Sequence, residues 1–126
     1  MMPHSRLLAL TVALIASATA HSAMAQAAPG EAIFRQRCGA CHVLTPGGAP
    51  GPLAPNLRGV VGRKAGTTAF KTYSPALKAA GPVWTKPNLD KFLTAPTRMV
   101  PGTRMVMTVP DPAQRAQLIA FLASQR

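Results

Sequence analysis

Apolar residues along this chain cluster at helical intervals, separated by stretches dense in glycine and proline, and no strand-like alternation is sustained. Four helical segments follow from that pattern. The first comes after Gly30 and runs from Glu31 through Ile33 and Phe34 to Arg37. A short second one is framed by Ser74 as N-cap, Pro75 at the first helical position and Gly81 as stop. The third opens near Thr85, carries Leu89, Phe92 and Leu93 on one face, and ends before Pro96. The last begins at Asp111-Pro112-Ala113-Gln114, a cap followed three residues later by glutamine, and bears a stripe of Leu118, Phe121 and Leu122. There is no internal repeat, so the pattern predicts a small all-α fold. Glycine and proline are densest from Pro46 to Pro55. Too little chain precedes that stretch to fold alone, which argues against a linker between domains. An ordered loop wrapped over an apolar surface that its own side chains do not supply is the better reading.

The ends and the charge narrow the class. Arg6 precedes an apolar run from Leu7 to Ala20, and Ala23-Met24-Ala25 supplies small residues where a signal peptidase cuts. Residues 1–25 therefore read as a secretion signal, and 26–126 as one domain of 101 residues. A retained anchor is the alternative, but the run falls short of the ~20 residues a spanning helix needs. The domain has six aromatics: Phe34, Phe70, Tyr73, Trp84, Phe92 and Phe121. So small a chain buries limited apolar surface of its own. Beyond residue 25, thirteen basic side chains face only Glu31, Asp90 and Asp111, a formal charge of +10. The basic residues are scattered rather than run together. For an exported protein this excludes nucleic acid and points to an acidic protein partner.

Cys38-Gly39-Ala40-Cys41-His42 carries the chemistry. Two thiols on one turn can add across the two vinyl groups of one porphyrin, and the adjoining imidazole becomes a ligand to its iron. Rival uses of these residues run short of atoms. Zinc takes four ligands, and the chain has no other cysteine; His4 and His21 lie in the segment read as removed. A thioredoxin-like pair needs a preceding strand and a βαβ pattern. A disulfide across so short a loop constrains little. The motif therefore predicts one covalent haem c, which makes up much of the core, so that the apoprotein is expected to fold poorly. With no spare histidine, the iron's other face has three candidate methionines, Met99, Met105 and Met107.

From Gly30 onward the chain resembles the class I cytochromes c, in the mitochondrial and bacterial electron-carrier branch. The likeness rests on Gly30 and Phe34, the Cys38–His42 motif, Pro55-Asn56-Leu57 and Gly62-Arg63-Lys64. It continues through Tyr73-Ser74-Pro75-Ala76, Trp84 and Pro101-Gly102-Thr103-Arg104-Met105, all in order. The resemblance implies a fold of helices and Gly/Pro-rich loops wrapped around the haem. It implies Met105 as the axial thioether opposite His42, and a Pro55 carbonyl that accepts the imidazole N–H. It implies that Arg63, Tyr73, Trp84 and Thr103 hold the propionates, and that Gly30, Phe34 and Phe121 form the crossing of the terminal helices. Two positions depart from the family around the axial sulfur. Phe92 stands where tyrosine is usual and Leu77 where asparagine often is, which implies a drier distal pocket. Met107 replaces an aromatic.

The expectation is a monomeric, periplasmic one-electron carrier rather than an enzyme, with no stable membrane insertion. Arg37, Arg98 and Arg104 are expected to ring the haem crevice and steer acidic redox partners, with Lys64, Lys71, Lys78, Lys86 and Lys91 contributing or merely solvated. Competing readings are a haem enzyme or gas sensor with an open sixth site, and a module in which haem is only structural. A single haem motif, close behind residue 25, disfavours a two-haem peroxidase and a four-helix-bundle cytochrome.

Overall fold

A computed structural model describes residues 28–126; the segment read as a secretion signal lies outside them. Five helices follow in order: α1 (Pro29–Arg37), α2 (Pro75–Ala80), α3 (Lys86–Thr94), α4 (Pro96–Met99) and α5 (Pro112–Ser124). Each has a proline in its first turn, where the missing N–H is lost at no cost. Among the described residues there is no β-strand, only an isolated antiparallel bridge between Lys64 and Val83. The fold is all-α, as the pattern predicts.

The helix starts follow the capping chemistry. Ser74 Oγ accepts from the Leu77 N–H at 3.1 Å, Thr85 Oγ1 from Asn88 at 3.2 Å, and Asp111 Oδ1 from Gln114 at 2.8 Å. Such caps stabilise a helix by about 1 kcal/mol each. Gly81 ends α2 at φ +48°, donating its N–H to Leu77 O. Two differences from the expected pattern appear. Helix α1 begins at Pro29 rather than Glu31, with Ala28 as its N-cap. Pro96 ends α3 but also opens α4, because Ala95 breaks the helix at φ −155°, ψ 80° and proline then restarts it.

The core forms where α1 crosses α5 and α3 packs on α5. Ile33 and Phe34 meet Leu118, Ile119 and Leu122 there, beside Leu89, Phe92 and Leu93 of α3. Gly30 makes the crossing possible: a Cβ on it would lie 2.1 Å from the Gln117 carbonyl oxygen and 2.6 Å from Phe121 Cβ. The Phe34 and Phe121 rings then pack at 6.0 Å, tilted by 50°. Among the described residues no helix is long and apolar enough to cross a membrane.

Candidate functional site

Between this core and the Gly/Pro-rich loops lies a cavity of about 500 Å³, within the range of a pocket that holds a cofactor. Nine residues singled out in the sequence line it together: Cys38, Cys41, His42, Pro55, Arg63, Tyr73, Trp84, Thr103 and Met105. Phe92 and Leu77, the two departures, line it as well. Its floor includes Leu118 and Leu122 of α5 and Leu89 and Leu93 of α3, so the stripes that form the core also form the site.

The proximal wall starts at the end of α1. Cys38, its C-cap, accepts from the N–H groups of Cys41 (3.1 Å) and His42 (2.9 Å), a turn that sets both thiols and the imidazole on one short piece of chain. Both cysteines are free. Burial pushes the Cys38 thiol up to about 11, against a smaller lowering by Arg37 and with a raising contribution from Cys41. A redox or metal-binding thiol needs the opposite shift. Among the described residues no group of three His, Cys, Asp or Glu side chains is placed to hold a metal ion.

His42 Nδ1 lies 2.7 Å from the Pro55 carbonyl oxygen. A carbonyl only accepts, so Nδ1 carries the proton and the Nε2 lone pair is available to a metal. Burial lowers the pKa of this ring and so favours its neutral form, against a smaller raising effect of the bond to Pro55. Pro55 is held by a polar hub that sequence reasoning did not identify. Asn56, 2% exposed, donates to Thr45 O (2.9 Å), Thr45 Oγ1 (3.2 Å) and Ala49 O (2.9 Å), and accepts from the Arg58 N–H (2.8 Å). Arg63 adds bonds to the Asn56 and Arg58 carbonyls at 2.9 and 3.0 Å. Burial lowers the Arg63 pKa, partly offset by Tyr73. The one sign of the hub in the sequence is a buried-type amide inside a loop of glycines and prolines.

On the other wall, Trp84 packs against Phe92 at 4.9 Å, tilted by 56°. Tyr73 shares a hydroxyl–hydroxyl bond with Thr68 and meets Phe70 edge-on at 5.2 Å. Thr103 is buried at the start of the segment that carries Met105. Of the three candidate methionines, Met105 and Met107 line the cavity and Met99 does not; it lies in a second cleft beside Asp90 and Arg115. Met107 is 49% exposed, and Leu53 and Val106 stand even further out at the mouth. Arg37, Lys64 and Arg104 line the cavity, but Arg98 does not. Arg98, on α4, lines the second cleft with Lys91.

A turn with paired cysteines, an imidazole with a committed Nδ1, a thioether and an apolar enclosure together suit one group: a covalently attached haem. Comparison with known proteins agrees. The cytochrome c family model matches residues 27–126. The chain is 42% identical to cytochrome c2 of Rhodomicrobium vannielii over 122 residues, covering 93% of this chain and 96% of that one. It is 42% identical to cytochrome c of Guizotia abyssinica over 94 residues, 74% of this chain and 84% of the relative. Among solved structures it resembles cytochrome cH from Methylobacterium extorquens, at 38% identity and a TM-score of 0.68, covering 77% of this chain and 96% of the other. The chain belongs to the cytochrome c family, as a class I member. It is a mono-haem electron carrier with one covalently bound haem c, and Cys38 and Cys41 have the spacing of the attachment motif.

Proposed function

We propose that this protein is a periplasmic one-electron shuttle whose haem iron is ligated by His42 and Met105, and that it makes and breaks no substrate bond. The observation that carries the ligand assignment is the 2.7 Å bond from His42 Nδ1–H to Pro55 O. It orients the ring, fixes its tautomer and makes Nε2 more basic. Met105 supplies a thioether to the same cavity, and among the described residues no second histidine lines it. Haem supplies reversible one-electron exchange at its iron, and two permanent ligands keep rearrangement on electron transfer small. The chain's own residues do the rest. Leu89, Phe92, Leu93 and Leu118 exclude water, which favours the less charged reduced state. Arg63, Tyr73, Trp84 and Thr103 are assigned to the propionate side. Arg37, Lys64 and Arg104 present positive charge at the cavity and favour brief docking of acidic redox partners by a monomeric carrier. Periplasmic location rests on reading residues 1–25 as a cleaved signal.

Replacing Met105 with alanine in the haem-loaded protein tests the assignment. The ferric spectrum should lose its weak far-red sulfur-to-iron band, the potential should fall, and exogenous ligands should bind, with covalent haem retained. If Met107→Ala does this instead, the axial assignment is wrong.

A further inference from the structure

Arg115 is the one charged side chain buried among the described residues, and nothing in the electron-carrying site uses it. Its Nε donates to Asp90 Oδ1 at 2.8 Å, and its Nη1 donates to the carbonyls of Val109 (2.9 Å) and Pro110 (2.8 Å). Val109, 1% exposed, donates its own N–H to Leu93 O at 2.8 Å. Helix α5, helix α3 and the chain leaving the Met105 segment thus meet at one guanidinium, in a cleft separate from the cavity.

Upstream of that junction the backbone is unsupported. Thr103 N–H bonds to Val100 O at 3.0 Å, but from Arg104 to Thr108 no backbone–backbone hydrogen bond forms. Arg104 reaches Thr72 O through its side chain, while Val106 and Met107 face outward. A span without ladder bonds opens at the free energy of its anchors. The upstream anchor is a turn; the downstream anchor is Val109, held on both sides, by Leu93 and by Arg115.

We propose that the Asp90–Arg115 pair is a positioning device for the axial methionine: by pinning Val109 and Pro110 it sets how readily residues 104–108 swing Met105 out of the cavity. This rests on the reading of Met105 as the axial ligand. Neither residue lines the cavity, so the effect does not come from direct contact with the group it holds. Removing Arg115 strips the Val109 and Pro110 carbonyls of a donor. Neutralising Asp90 leaves a buried guanidinium without its counter-charge.

The test is the rate at which imidazole enters the ferric, haem-loaded protein, which is limited by departure of Met105. Asp90→Asn should raise it several-fold and Arg115→Met by ~10-fold or more, since each loses a charge-assisted bond. Amide hydrogen exchange at Val109 should quicken by a similar factor, and covalent haem should persist. Ile33→Val on α1, compared at matched loss of thermal midpoint, should leave both rates unchanged. An Asp90→Asn variant that admits imidazole no faster than wild type, or no faster than Ile33→Val at equal stability, overturns the proposal, even where Arg115→Met fails to fold. Failure of the underlying reading shows separately: Met105→Ala would then admit imidazole no faster than wild type.

Discussion

Gly30→Ala measures the crossing of the terminal helices on which the site is built. The added Cβ would meet the Gln117 carbonyl oxygen at 2.1 Å and Phe121 Cβ at 2.6 Å, both far inside van der Waals contact. The oxygen belongs to the α5 backbone, so no rotamer change relieves the clash. Only separation of α1 from α5 does. Overpacking of this kind costs about 1–3 kcal/mol. Separation also loosens the Phe34–Phe121 pair, worth about 0.5–1.5 kcal/mol beyond its buried area. Alanine returns about 0.5–1 kcal/mol as a better helix former than glycine. The net is a loss of about 2 kcal/mol, or ~8–16 °C in thermal midpoint for a domain of this size. Far-ultraviolet circular dichroism on the haem-loaded protein at fixed pH reads it directly. Adding Phe121→Ala should not restore stability, because the carbonyl contact remains. A midpoint at or above that of wild type would refute the close-packed crossing, since without the clash the helix-propensity gain alone would raise it by ~2–8 °C.

Phe92→Tyr should raise the reduction potential, because a hydroxyl donated to the Met105 sulfur weakens its stabilisation of ferric iron; redox titration checks it. Phe92 is buried at 5% exposure in the cavity wall, so a hydroxyl that finds no partner would instead cost about 1–3 kcal/mol, visible as a lowered midpoint at unchanged potential. Association with an acidic redox partner should slow steeply with salt, as the Debye length falls from ~10 Å at 0.1 M to ~3 Å at 1 M. Charge reversal at Arg37 or Arg104 should slow it more than at Arg126 or at Arg98, which lies in the second cleft; stopped-flow kinetics at two ionic strengths decides this.

The parts legible in the sequence are those with local causes. Ser74, Thr85 and Asp111 cap the helices that start behind them because a cap is written in a few consecutive residues. Cys38, Cys41 and His42 converge because one turn brings them together. Features built from distant partners were legible only through the family resemblance, as with His42–Pro55 and Phe34–Phe121, or stayed hidden. Nothing in the sequence marks Arg115, because its counter-ion Asp90 is on another helix and its other partners are carbonyls. Asn56 reads as a loop residue until Thr45 and Ala49 fold back onto it. Nearness in sequence to the haem motifs does not show that Arg98 lines the second cleft rather than the cavity. Pro96 signals a stop in the sequence, although the same fixed φ that ends one helix opens the next.

These hidden contacts make the two walls of the cavity unequal. From His42 to Arg63 the proximal chain is cross-braced: His42 to Pro55, Asn56 to Thr45 and Ala49, Arg63 to two carbonyls, and the Leu57 N–H to Val43 O. Breaking any one of these leaves several others in place. The distal chain from Arg104 to Thr108 has no backbone–backbone bond and a single side-chain brace, Arg104 to Thr72 O, so it depends mainly on its ends. Local opening follows the lowest anchor, so the side carrying Met105 should yield first, while the side carrying His42 and both cysteines stays closed until the fold itself is lost. On the proposed attachment through Cys38 and Cys41 that difference widens, since the proximal segment then stays bonded to the haem. Evolutionary or engineered adjustment of such a carrier therefore has most leverage in the pair that holds Val109, remote from the iron and from the docking face alike.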